Sequence, residues 1–189
     1  MPTFADIVEK LHAAGTVDRG VGAPVRQAAV AAILRPSLDL FFIVRALHPL
    51  DPWSGHVAFP GGRRDPGDVD LVATAIRETQ EEVGITLTDA QLVARLPDLR
   101  ASARTKQTDL TVTPFVFTVD DDVAISANAE VAASLWVPLE TLLTGPRSTF
   151  DFPHEGTTYA MPCVYLEPGA HRLWGMTLRM LDTLLDSVR

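Results

Sequence analysis

The sequence predicts an α/β domain, and three observations carry that expectation. Amphipathic helical stretches stand near both ends of the chain and once in its middle. Between them lie β-rich segments bounded by turn residues. These segments follow one another in runs, which points to a sheet built mostly from hairpins and not from repeated βαβ units. With 189 residues, 47% apolar and 21% charged, the chain can bury a substantial core and has ordinary soluble composition. No repeat, low-complexity tract or composition shift marks a linker, so residues 1–189 read as a single domain.

Phe4, Ile7, Val8 and Leu11 repeat at helical spacing, and Gly15 ends that pattern. After the break at "GVGAP", the stretches "VRQAAVAAIL" and "LDLFFIVRAL" read as two strands joined by a turn at "RPS". "DPWSGHVAFPGG" is loop-rich, with a brief strand from Val57 to Phe59. A helix is expected from about Asp70 to Val83, with Asp70 as its N-cap and Gly84 at its end. "LVARLPDL", "LTVTPFVFTV", "SLWVPL" and "TTYAMPCVYL" read as further strands. "WGMTLRMLDTLLDSV" closes the chain as a helix packed on the core, and Trp174 is expected inside that core.

The formal charge is −8 with no basic run, which disfavours binding to nucleic acid or to an anionic membrane surface. A polyanionic ligand would therefore need a local cluster of cations or a metal. Cys163 is the only cysteine, so no internal disulfide can form and a reducing compartment is expected. Its apolar surroundings suggest a buried thiol. The N-terminus lacks the pattern of a signal peptide and no apolar run approaches a membrane span, so the expectation is a soluble, cytoplasmic protein.

Chemistry concentrates in the central helix. At about 100° per residue, Val72, Ile76, Thr79 and Val83 form a core stripe, while Glu78, Glu81 and Glu82 share another side. Like charges at these spacings repel by a few tenths of a kcal/mol. Arg77 can reach Glu81 one turn on, and a hard divalent cation held by oxygen ligands would offset far more. Upstream, "FPGGRR" reads as a sharp turn whose bare glycines admit a close ligand. Carbonyls, amides and carboxylates around one point suit a magnesium–diphosphate complex.

"GGRRDPGDVDLVATAIRETQEEVGI", Gly61 to Ile85, resembles the Nudix box, whose pattern is G-x5-E-x7-R-E-U-x-E-E-x-G-U with U aliphatic. Arg77, Glu78, Glu81, Glu82, Gly84 and Ile85 fall in place, and Thr79 stands where an aliphatic is usual. The left half departs: fourteen residues separate Gly62 from Arg77 in place of thirteen, and the first glutamate is missing. Counting forward reaches Asp68 and counting back reaches Val69; Asp68 is the expected stand-in. "SGHVAFPGG", "LWVPLETLL" and "HRLWGMTLRMLDTLL" extend the resemblance to the coenzyme A pyrophosphatase-like branch. That branch often carries H-x-G-Q-V-x-F-P-G-G; here Trp53 replaces the histidine and His56 the glutamine.

The resemblance implies the Nudix fold, a mixed β-sheet sandwiched between helices, and hydrolysis of a nucleoside diphosphate linked to another moiety with Mg2+ or Mn2+. It further implies that Glu81 and Glu82 are the main metal ligands, that Glu78 is a ligand or base, and that the Gly61 carbonyl completes the shell. Arg77 would orient the glutamates. Glu130, in the loop before "SLWVPL", is a candidate further acid. Arg45 and Arg63 are candidates for phosphate, Trp53 for stacking on a base, and His56 for a phosphate or a turn cap. Coenzyme A or its derivatives is the first substrate guess, and ADP-ribose, dinucleotides or nucleotide sugars the second. A nucleotide-sensing domain without turnover would be expected to lose box glutamates, which this chain keeps. An isoprenoid diphosphate isomerase would need a cysteine–glutamate pair, for which Cys163 offers no motif. Whether the chain acts alone or as a homodimer stays open.

Overall fold

The computed structural model describes residues 2–14, 18–20, 26–48, 54–103, 106–167 and 171–189. Helix α1 (Phe4–Ala13) opens on a capping box: the Thr3 hydroxyl accepts from the Asp6 amide, and the Asp6 carboxylate accepts from the Thr3 amide. Gly15, expected to end it, lies outside the described residues. The expected hairpin follows as β1 (Arg26–Leu34) and β2 (Asp39–Arg45), antiparallel with Leu34 opposite Leu40. Then come β3 (Val57–Ala58), β4 (Gly61–Arg63) and α2 (Leu71–Val83). A single 3-10 turn at Asp89–Gln91 leads to β5 (Leu92–Arg95), β6 (Leu99–Ala103) and β7 (Lys106–Thr118). Strand β8 (Val131–Pro138) runs into α3 (Leu139–Thr144), followed by β9 (Ser148–His154), β10 (Thr157–Glu167), β11 (His171–Trp174) and α4 (Gly175–Val188).

Eight strands form one sheet in the order β3-β2-β1-β7-β5, with β4 on β1, β6 on β7 and β8 on β2. Its spine is a parallel pair, β1 with β7, in register from Arg26–Leu110 to Leu34–Thr118. Every other pairing of this sheet among the described residues is antiparallel, so the sheet is mixed. Alternate residues of β1 feed two cores. Ala29, Ala31 and Ile33 pack with Leu71, Val72, Ala75 and Val83 of α2. Ala28, Ala32 and Leu34 share the opposite core with Ile7 and Leu11 of α1 and Leu178, Leu181 and Leu185 of α4. Helices thus cover both faces, the expected sandwich.

Four expectations need correction. "FPGG" is not a sharp turn: Gly61–Arg63 is extended and pairs antiparallel with Ala28–Val30. Gly61 sits at φ 148°, where an added Cβ would lie 2.3 Å from the Ala29 carbonyl oxygen, so backbone packing demands glycine. "LVARLPDL" divides into β5 and β6, with Pro97, which has no amide to donate, between them. Trp174 ends β11 ahead of the terminal helix and is half-buried, not a core residue. Finally, hairpins do not dominate the centre of the sheet, because β1 takes its longest pairing from a strand some eighty residues away. Cys163 is fully buried, as expected.

Candidate active site

Helix α2 begins where Asp70 accepts from the Ala73 amide at 2.7 Å, the expected N-cap. Two residues earlier, Asp68 and Val69 differ sharply in their surroundings. Val69 is 77% exposed, whereas Asp68 is 8% exposed and turned inward. Arg77 grips Asp68 with two parallel bonds, Nε to Oδ1 at 3.0 Å and Nη2 to Oδ2 at 2.9 Å. The Thr74 hydroxyl and the Asp65 amide also donate to Oδ2, each at 2.9 Å. The guanidinium, outweighing burial, holds the Asp68 carboxyl down at about 2, and the same pairing raises the pKa of Arg77. Asp68, the expected stand-in, is thus the inward-facing partner of Arg77, while Val69 bulges outward.

Arg77 is the hub of this region. Its Nη1 donates at 3.0 Å to both Glu78 and Glu81, and its Nη2 donates at 3.1 Å to the Arg63 carbonyl. The expected reach to Glu81 is present, and it leaves Glu81 at the exposed rim. Glu78 lies deeper; burial raises its pKa, Arg77 opposes the shift, and the Glu81 and Asp65 charges add to it. An added Cβ on Gly62 would lie 2.5 Å from the Glu78 carboxylate, so that glycine leaves room for it.

Glu82 is the most enclosed of the three glutamates, 3% exposed. Its Oε2 accepts from the Gly61 amide at 2.8 Å, and its Oε1 faces Arg45 Nη1 at 3.9 Å. Burial pushes its pKa up to about 7; the Gly61 amide and Arg45 pull against this, while Glu78 and Glu130 add to it. The ladder explains why Gly61 can serve this carboxylate. The Ala31 amide donates to Pro60 and the Arg64 amide to Gln27. Antiparallel alternation then turns the intervening Gly61 and Arg63 away from β1, toward α2.

The C-terminal end of α2 is tied to the loop before β8. The Ser126 amide donates to the Val83 carbonyl and the Asn128 amide to the Glu82 carbonyl, both at 2.8 Å. These donors were missed from sequence, although the orphan carbonyls of a helix end are a signal to look for them. Glu130 is exposed, and its amide bonds the Asn128 side chain at 2.8 Å. Its carbonyl accepts from Ala46, next to Arg45, at 2.7 Å. Loop, helix end and Arg45 are thereby brought together. Arg63 is exposed, and its carbonyl holds Arg77. The His56 carbonyl accepts from the Arg45 amide at 3.0 Å, and its ring meets Trp174 edge-on with centroids 5.0 Å apart. Trp53 lies outside the described residues.

Among the described residues, no three His, Cys, Asp or Glu side chains already surround a common point; Arg77 draws Glu78 and Glu81 toward itself. The donor set nevertheless fits a hard divalent cation. It is all oxygen, from Glu78, Glu81, Glu82 and the outward-turned Gly61. Burial has raised the proton affinity of two of these carboxylates, a cost that a cation between them would remove.

A family model described as a NUDIX domain matches residues 24–158. The "Uncharacterized Nudix hydrolase NudL" of Yersinia pestis (strain Pestoides F) is 34% identical over 168 residues, 86% of this chain and 80% of that protein. An Ap4A hydrolase from C. elegans, crystallised as a binary complex, superposes with a TM-score of 0.50 at 25% identity, covering 63% of this chain and 84% of that one. The bifunctional NMN adenylyltransferase/ADP ribose pyrophosphatase from Francisella tularensis, complexed with AMP and a manganese ion, superposes with a TM-score of 0.60. It covers 96% of this chain and 46% of that one at 14% identity, a likeness of fold alone.

Proposed function

The chain belongs to the Nudix family and is a hydrolase of diphosphate anhydrides; from that premise we propose a divalent-metal-dependent enzyme that cleaves nucleoside diphosphates linked to another moiety, coenzyme A or its derivatives first among them. The observation that carries the reading is Glu82, a carboxylate buried at the end of an acidic helix face, with its pKa raised to about 7 and an amide of the glycine-rich strand on one oxygen. Burial of this kind is costly unless a cation comes to it.

Glu82, Glu78 and Glu81, with the Gly61 carbonyl, would hold the metal. When bound, Mg2+ or Mn2+ supplies charge neutralisation for the diphosphate and makes water a stronger nucleophile. The Gly61 amide fixes one oxygen of Glu82 and leaves the other toward Arg45. Arg77, itself anchored by Asp68, holds Glu78 and Glu81 in place and has a positioning role. Glu130, exposed and near enough for its charge to act on Glu82, is suited to take a proton from the attacking water. Arg45, near Glu82, and Arg63, on β4, are the cations we assign to phosphate, with His56 and Trp53 of the lead-in loop as further substrate contacts.

The substrate preference rests on the lead-in and C-terminal stretches quoted above. The second reading, ADP-ribose or a dinucleotide, is favoured by the likeness to an Ap4A hydrolase. No helix among the described residues is long and apolar enough to cross a membrane, and the single buried Cys163 is in keeping with our assignment to the cytoplasm. A substrate panel in Mg2+ tests the proposal. Coenzyme A should yield 4′-phosphopantetheine and 3′,5′-ADP, with activity lost on chelation. Glu82→Gln should reduce kcat by more than about 100-fold, beyond the roughly 10- to 100-fold typical of residues one layer out from a metal. Wild-type turnover by Glu82→Gln would overturn the metal assignment. Rapid cleavage of ADP-ribose with none of coenzyme A would move the substrate to the second reading.

A further inference from the structure

A second surface borders the carboxylate site. In the three-stranded sheet, Phe150 pairs with Met161, Phe152 with Tyr159, His154 with Thr157, and Cys163 with Trp174. Directly opposed residues of antiparallel strands share a face, so Phe150, Phe152, His154 and Trp174 stand together. The other face sends Val164, Leu166 and Leu173 into the core. The aromatic side chains remain half-buried. Trp174 is their centre, with ring centroids 5.0 Å from Phe150, 5.2 Å from Phe152 and 5.0 Å from His56. The Arg172 guanidinium lies 3.6 Å over Phe150.

A chain of contacts links this platform to the site. Trp174 touches His56, the His56 carbonyl holds the Arg45 amide, and Arg45 faces Glu82. Phe152 and His154 lie nearly parallel, 22° apart with centroids at 6.1 Å. His154 Nε2 is shut off from solvent and has no partner among the described residues, an unmet hydrogen-bonding group beside the rings.

We propose that the aromatic face of β9 and β11 is the nucleobase subsite, where Phe152 and Trp174 stack on the base of a nucleotide whose diphosphate lies at the glutamates. The inference rests on the nucleoside diphosphate reading above. Every base offers a π-face that aromatic side chains accept, and the cation at Arg172 suits an anionic nucleotide better than an aliphatic chain.

Binding of ADP and of inorganic pyrophosphate in Mg2+ separates base from diphosphate. Phe152→Leu should weaken ADP roughly 5- to 100-fold, as expected for loss of one stacked ring, and leave pyrophosphate within about twofold. Phe152→Trp should restore ADP binding. Trp174→Phe, which keeps a ring, serves as the second variant if Phe152→Leu does not fold, and should weaken ADP selectively by a smaller factor. Equal losses for both ligands, or no loss for either, would overturn the subsite. A change of oligomeric state with ADP binding intact would overturn it in favour of a contact between copies. Selective ADP binding without turnover of any diphosphate would sink the hydrolase reading and keep the subsite; turnover with unaltered ADP affinity in the variants would do the reverse.

Discussion

Asp68, in the loop before α2, and Glu82, in its last turn, both show little surface to water, yet their proton affinities move in opposite directions. Asp68 is gripped in bidentate fashion by Arg77 and accepts two further bonds, and its pKa falls to about 2. Glu82 has one amide and an arginine at 3.9 Å, and its pKa rises to about 7. Glu82 lies deeper, so burial weighs most on it, and it lacks the close countercharge that the structure supplies to Asp68. One end of the helix is a finished ion pair that holds the loop to the helix. The other is an unfinished one, and an unfinished carboxylate is where a metal or a proton can act.

The sharpest way to break the contrast is to remove the finished end. Asp68→Ala leaves Arg77 without its main partner and frees the 65–68 loop. Breaking a buried pair by deleting one member typically costs about 3–5 kcal/mol. The lower part of that range is expected in denaturant unfolding, since Arg77 keeps Glu78, Glu81 and the Arg63 carbonyl. A loss under about 0.5 kcal/mol would show that Asp68 does not anchor the loop.

An effect of similar size, spread over a pH range, should come from titrating the unfinished end. Glu82 and Glu78 both have folded pKa values raised above the ordinary glutamate value of 4.5. Their contribution to stability is thus fully present below about pH 4.5 and is lost as pH rises through about 7 for Glu82. For Glu82 this amounts to something on the order of 3 kcal/mol. Asp68 works the other way: its stabilisation is present above pH 3.8 and is lost as pH falls through about 2. Metal-free protein should accordingly lose stability between pH 4.5 and 7. Glu82→Gln should flatten that slope, and saturating Mg2+ should flatten it too by stabilising the ionised form. A flat profile in metal-free wild type would remove the distinction between the two ends.

The same two ends differ in how legible they were in the sequence. The glutamates, the Asp70 cap and the stop at Gly84 follow local rules of helix spacing and capping, and each lies where the sequence placed it. Asp68 against Val69 could not be separated by counting, because one extra loop residue shifts either side chain inward; the hydrogen-bonding demand of Arg77 decides it. The parallel β1–β7 pairing and the aromatic face of β9 and β11 were hidden for another reason. Apolar alternation identifies a strand but not its partner, and both contacts join distant segments. "TFDFPH" does carry a two-residue period that marks Phe150, Phe152 and His154 as one face.

Thr79 sharpens the comparison with a third kind of buried polar group. It lies on the core stripe of α2, fully buried, one turn from Glu82 and Val83, where the family pattern has an aliphatic residue. Its hydroxyl has no hydrogen-bond partner among the described residues. Unlike Glu82 it carries no charge and cannot recruit a cation, so its desolvation is a cost without a chemical return. Leaving a buried hydroxyl unsatisfied costs about 1–3 kcal/mol, part of which an apolar group of the same shape recovers. Thr79→Val should therefore raise stability by about 1 kcal/mol in urea unfolding while leaving kcat and KM unchanged. Destabilisation would mean that the hydroxyl is bonded to an ordered water; a change in kcat would mean that the core stripe sets the position of Glu78 and Glu82 through the helix itself. The buried polar groups of α2 then divide by consequence: the charged one can take up a cation or a proton, and the neutral one only lowers the stability of the fold.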